Sequence, residues 1–163
     1  MTTITPGYLP PEWAPQAAVL LTWPHAHGDW AVTLGETEAE FVGFAAAIAE
    51  REALIVACHD AAHRRHVADR LTHAGVPQAR LRLAIAPSND VWVRDHGPLT
   101  VLRDGRPVAL DFRFDGWGGK YRAELDDAVT AALAEQGALG GIAIESLPWV
   151  FEGGNLEVDG QGT

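Results

Sequence analysis

Two stretches of this chain match at an offset of 57 residues: positions 92–101 and 149–158 share the pattern W-V-x-[D/E]-x-G-x-L-x-V. Ile85 and Ile142 align as well, each seven residues before its tryptophan. A repeat of this length marks an array or propeller of supersecondary units, because one such unit cannot bury its faces alone. The first copy leads into a turn at Asp104-Gly105. The second runs into Asp159-Gly160-Gln161-Gly162-Thr163, which is turn chemistry after a strand. By analogy a returning strand should follow. We therefore expect residues 1–163 to be the N-terminal portion of a single larger domain, incomplete at the C-terminus.

The segments around the repeat alternate between strand and helix character. Residues 17–23, 53–58 and 80–85 are apolar runs ended by turn formers and read as buried strands. Residues 38–50 read as a helix with Phe41, Phe44, Ala45 and Ile48 on one face. Asp60 is a candidate N-cap for a helix through Ala74, with Gly75 after its end. Residues 91–102 and 108–114 read as β-rich runs flanking Asp-Gly, a hairpin signal. Gly116, Gly118 and Gly119 make a loop, residues 123–136 a helix, and residues 142–144 another strand. Such alternation is the mark of an α/β fold.

Composition excludes some function classes. With 22 acidic and 12 basic side chains the net charge is −10, which argues against nucleic acid, since phosphate binding needs a basic surface. An acidic surface mostly serves solubility, and a cationic substrate is the other reading. No run approaches the roughly 18 apolar residues of a membrane span. Residues 1–6 carry neither a basic start nor an apolar core, so they do not form a signal peptide. The single cysteine allows no intrachain disulfide. These features point to the cytoplasm and away from a membrane partner.

The repeat places Asp95 and Glu152 at equivalent positions of adjacent units, each three residues after a tryptophan. In a closed array equivalent positions converge on the axis, so two acids would face one cavity. Paired carboxylates repel and resist desolvation, and a planar cation relieves both costs. Guanidinium fits best, since it stays charged and presents forked donors to carboxylates. Trp92 could stack on it by cation–π contact. The plainer alternative is that Asp95 pairs with Arg94 or Arg113, and that Glu152 is a turn acid ahead of Gly153-Gly154.

Other signals are weaker. His25-Ala26-His27 after a strand has the look of a metal amidohydrolase ligand pair. That reading needs more ligands at later strand ends and a barrel of about 250 residues. His59, His63 and His66, at i, i+4 and i+7, could bind metal or form a polar helix face. Cys58 lies inside an apolar strand and reads as a core residue rather than a nucleophile. Gly116-Trp117-Gly118-Gly119-Lys120 lacks the Ser or Thr of a phosphate loop. No metal site and no cofactor are expected.

Several runs carry a family resemblance: Pro11-Glu12-Trp13-Ala14-Pro15, Thr22-Trp23-Pro24-His25, residues 89–98 (N-D-V-W-V-R-D-H-G-P), residues 112–121, and Glu152-Gly153-Gly154-Asn155. Over nearly its whole length the chain resembles the agmatine deiminases of the bacterial-type peptidylarginine deiminase family. The resemblance implies the pentein fold, a five-bladed α/β propeller of ββαβ modules, of which these residues would supply about the first two. It implies hydrolysis of a guanidine, agmatine above arginine or peptidylarginine, to a urea and ammonia through a cysteine covalent intermediate, a step toward putrescine. Asp95 matches the family's guanidinium-binding acid and Glu152 the glutamate that helps bind and polarise the substrate. Trp92 and Trp117 match aromatic residues lining the site. The family's nucleophilic cysteine and general-base histidine match neither Cys58 nor any of the seven histidines here. They would lie beyond Thr163, so the 163 residues alone should be inactive. A non-catalytic guanidinium-binding module is the alternative from another class. A homodimer is carried only as the commonest assembly among soluble oligomers in general.

Overall fold

The computed structural model describes residues 7–161. The reading of residues 1–6 and the last two positions of the closing turn, Gly162 and Thr163, lie outside the described residues. In chain order the elements are β1 (Ala18–Thr22), α1 (Leu34–Ala49), β2 (Ala53–Cys58), α2 (Ala61–His73), β3 (Leu81–Ile85), the helical turn α3 (Val93–His96), β4 (Leu99–Arg103), β5 (Arg106–Arg113), the irregular turn α4 (Gly116–Gly119), α5 (Val129–Glu135) and β6 (Ala143–Val150). Short 3-10 turns at Asp29–Thr33, Gln78–Arg80, Asp126–Ala128 and Gly153–Asn155 join them.

The first sheet is parallel, in the order β1-β2-β3. Its central strand, Ala-Leu-Ile-Val-Ala-Cys, is an unbroken apolar run because both of its faces are covered. Leu54, Val56 and Cys58 point to one side and pack with Ala45 and Ala49 of α1 and Val67 and Leu71 of α2. Ile55 and Ala57 point to the other side, where Val129 and Leu133 of α5 close over them. Asp60 caps α2, its carboxylate accepting the amide of His63 at 2.8 Å, and Gly75 leaves the helix at φ 77°.

The second sheet is mixed, in the order β4-β5-β6. β4 and β5 form an antiparallel hairpin whose turn puts Asp104 at φ 50° and Gly105 at φ 72°. Positive φ at both central residues matches strand twist, which is why Asp-Gly works there. The chain then crosses through α5 and returns as β6, parallel to β5. The result is a ββαβ unit, and its helix covers the back of the preceding sheet. Among the described residues no helix is long and apolar enough to cross a membrane.

Four expectations are corrected. Residues 91–98 are not a strand. Asp90 Oδ1 accepts the amide of Val91 at 2.7 Å, and Gly97 N–H returns to the carbonyl of Val93 at 2.8 Å, so local bonds wind the segment into α3. Helix α1 starts at Leu34 instead of residue 38, and Phe44 is 56% exposed. The core face of α1 is set by Phe41, Val42, Ala45, Ile48 and Ala49. The helix expected over 123–136 is a 3-10 turn followed by only the seven residues of α5. Finally, the two copies of the repeat differ locally: Trp92 precedes a helical turn, whereas Trp149 lies within strand β6.

Candidate active site

Asp95 sits on α3, one turn after Trp92, with its amide bonded to the Trp92 carbonyl at 2.9 Å. Its Oδ1 accepts the backbone N–H of Gly154 at 3.0 Å, and its Oδ2 accepts the indole N–H of Trp117 at 3.3 Å. The two copies of the repeat therefore meet, with the carboxylate of the first held by the loop of the second. That approach explains the glycine pair. A Cβ on Gly153 would strike the carbonyl oxygen of Arg94, and one on Gly154 would strike Asp95 Oδ1.

Trp117 is held in a left-handed conformation, φ 60° and ψ 57°, which costs a non-glycine residue about 1–2 kcal/mol. Its ring meets Phe114 and Tyr121 edge-on at 5.0 and 5.7 Å. Asp115 Oδ1 accepts the amide of Gly118 at 2.8 Å and closes the turn. These contacts fix the indole that donates to Asp95. Glu152 stands on extended backbone just before the turn Gly153–Asn155, and its Oε2 accepts the side-chain amide of Asn155 at 3.0 Å. Arg94, the candidate partner of Asp95 in the plainer reading, instead forms an ion pair with Glu12.

Behind α3 lies a buried polar brace that spacing alone did not reveal. Asp126 Oδ1 accepts the amides of Asn89 and Asp90 at 2.8 and 3.2 Å, while Asn89 Oδ1 accepts the amide of Leu125 at 2.8 Å. Burial pushes the Asp126 carboxyl up to about 6, against the pull of those two amides. His96 is 4% exposed and its Nε2 lies 3.9 Å from Asp126 Oδ1. Burial pushes the imidazole down to about 4, so it is neutral at neutral pH. Asp90 was also missed. Its Oδ1 accepts the indole N–H of Trp30 at 2.8 Å and its Oδ2 that of Trp92 at 3.1 Å. The one signal available was the Asn-Asp pair, a turn former, immediately ahead of Val91-Trp92.

The other reactive side chains are occupied elsewhere. Cys58 is fully buried, and desolvation pushes its thiol up to about 12, so it is no nucleophile. His25, His27, His59 and His63 do gather, with the His25 and His59 rings 4.3 Å apart. His25 Nδ1 accepts the amide of His27 at 3.2 Å, leaving Nε2 to donate to the Ser88 carbonyl at 3.1 Å. His63 is spent in the same way, between the amide of His59 at 2.9 Å and the carbonyl of Pro24 at 3.1 Å. Among the described residues no group of three or more His, Cys, Asp or Glu is arranged to hold a metal ion. A concavity of about 530 Å³ lies away from Asp95, lined by Val42, His66 and Arg70 among others.

The family described as Porphyromonas-type peptidyl-arginine deiminase matches residues 8–163. The chain belongs to this family. Among the family's relatives, the agmatine deiminase of Stutzerimonas stutzeri is 33% identical over 175 residues, which takes in 100% of this chain and 45% of that protein. A C. jejuni agmatine deiminase solved with substrate bound superposes with a TM-score of 0.83 at 26% identity, over 96% of this chain and 44% of that one. A Porphyromonas gingivalis structure provisionally named an arginine deiminase is 45% identical with a TM-score of 0.75, over 94% and 44%. The chain thus spans somewhat under half the length of the peptidyl-arginine deiminase relatives it matches. Its mixed α/β architecture is that of the pentein-fold deiminases, and its two three-stranded sheets fall within that fold.

Proposed function

We propose that the protein of which these residues form part hydrolyses a guanidine to a urea with release of ammonia, and that agmatine is its substrate. The observation that carries the reading is the setting of Asp95. Each of its oxygens accepts one fixed donor, Gly154 N–H or the Trp117 indole. A carboxylate has about four lone-pair sites. One therefore remains on each oxygen for a forked pair of guanidinium N–H groups, the geometry that guanidinium prefers. Glu152, carried on the loop that supplies Gly154, is the second acid of the site, and Trp92 and Trp117 are its aromatic surfaces. Membership of the deiminase family supports the reaction class.

In this reading a cysteine thiolate attacks the guanidinium carbon, and ammonia leaves carrying a proton delivered by a histidine. Water then displaces the thiolate from the thiouronium carbon to give the urea. Cys58 does not serve as that thiolate, because its buried thiol stays protonated. The nucleophile and the general base are assigned to residues outside these 163, and Asp95 and Glu152 hold and polarise the guanidine. No cofactor enters the scheme. Arginine is the second candidate substrate, favoured by the 45% identity to the P. gingivalis protein named for it.

Ammonia release by the full-length protein, with agmatine, arginine and a peptidylarginine compared at equal concentration, is the test. We expect agmatine to give the highest kcat/KM. A higher value for arginine or the peptide overturns the substrate assignment, and no release from any of the three overturns the reaction.

A further inference from the structure

Asp90 lies outside every role assigned so far, yet it is the most heavily engaged side chain on the approach to α3. Its two oxygens are divided between two indoles: Oδ1 takes Trp30 N–H at 2.8 Å and Oδ2 takes Trp92 N–H at 3.1 Å. Oδ1 also takes the amide of Val91 at 2.7 Å, which fixes the carboxylate to its own backbone. That backbone is fixed in turn, because buried Asp126 accepts the amides of Asn89 and Asp90. Trp30 comes from the turn Asp29–Thr33 that follows β1, sixty residues away, so the clamp joins two separate segments. The rings it holds lie 6.2 Å apart at 54°. Trp92 remains 47% exposed, and its carbonyl is bonded directly to the amide of Asp95.

We propose that Asp90 is a positioning residue that sets Trp30 and Trp92 as a two-ring aromatic wall beside Asp95, and that this wall receives the tail of the substrate, the aliphatic chain and its terminal cation. The inference rests on the guanidine-hydrolase reading and adds to it Trp30 and the role of Asp90. The chemistry requires an acid at this position. Two indole N–H donors need two acceptor oxygens, and a carboxylate has them, whereas a carboxamide offers one acceptor and turns an NH2 toward the second indole. Indole faces then present negative potential to a cation and a flat surface to methylenes. Because the wall touches the tail and not the reacting carbon, it contributes to binding in ground and transition states alike. Its loss therefore raises KM more than it lowers kcat.

The test uses the full-length protein and four forms: wild type, Asp90→Asn, Trp92→Phe and the double variant. In Asp90→Asn we expect the KM for agmatine to rise about tenfold while kcat stays within about threefold. In the Trp92→Phe background, where the unpaired N–H is gone, the same substitution should shift KM by less than about twofold, which is the signature of coupling. The indole N–H resonances of Trp30 and Trp92 should both move in Asp90→Asn. An undiminished effect of Asp90→Asn in the Trp92→Phe background, equal losses in kcat and KM, or unmoved indole resonances overturn the proposal. If the wild type hydrolyses no guanidine, the reaction assignment fails, while the indole resonances still judge the clamp.

Discussion

At the scale of single residues the site depends on lone pairs more than on net charge. Asp95→Asn keeps the shape of the side chain and one acceptor oxygen, but turns an NH2 toward either Gly154 N–H or the Trp117 indole. A hydrogen bond to a charged group is worth about 1.5–3 kcal/mol, so kcat/KM of the full-length protein should fall by at least about tenfold. Steady-state ammonia release measures this, and near-wild-type turnover would remove the assigned role. His96 and Asp126 give the pH dependence of stability. His96 is held at about 4 against its usual 6.5, so its contribution is present above pH 6.5 and lost as pH falls through about 4. Asp126, raised from 3.8 to about 6, works in the opposite sense: its contribution is present below pH 3.8 and lost as pH rises through about 6. The two partly offset each other in the acid range. His96→Leu removes only the first, so between pH 6.5 and 4 its Tm should fall less than that of the wild type. Parallel curves in thermal melts would show that the imidazole is not the group responsible.

At the scale of elements, α2 is the clearest case of local chemistry deciding a boundary. Replacing its cap, Asp60→Ala, frees the amide of His63 and should cost about 1 kcal/mol, read from urea denaturation of the full-length protein. No change would mean that packing of Val67 and Leu71 holds the helix without the cap. That boundary was legible in the sequence because a cap and an exit glycine act on their nearest neighbours. So were β2, as an unbroken apolar run, and the Asp104-Gly105 hairpin. Residues 91–98 misled because Val91, Trp92 and Val93 have strand character, while the bonds that wind them come from the Asp90 side chain and from the return of Gly97 N–H to the Val93 carbonyl. Phe44 misled because periodicity finds an apolar stripe without finding which edge of the stripe meets Trp23. At the site, the repeat pointed to Asp95 and Glu152 as equivalent acids, whereas the contact that joins the two copies is the one from Gly154 N–H to Asp95. The two partners that orient the carboxylate, Trp117 and Gly154, are 22 and 59 residues away in sequence, and no local pattern encodes such bonds.

At the scale of the whole described structure, α5 joins the two sheets, since Val129 and Leu133 fill the face of the first sheet that α1 and α2 leave open. Leu133 is fully buried, so Leu133→Ala should cost about 2–5 kcal/mol. Hydrogen exchange should then quicken in β2 and β3, which precede it by more than forty residues. Exchange confined to α5 and β6 would show that the sheets are stable independently. The bond between Asp95 and Gly154 has a further consequence, in time rather than in space. The first sheet is complete by Ile85, and α3 follows at once, but the amide that orients its carboxylate is made 59 residues later. At roughly 5–20 residues per second on the ribosome, Asp95 emerges about 3–12 s before its partner. The strands of the parallel sheet can therefore be made while the Asp95 carboxylate is still unaligned.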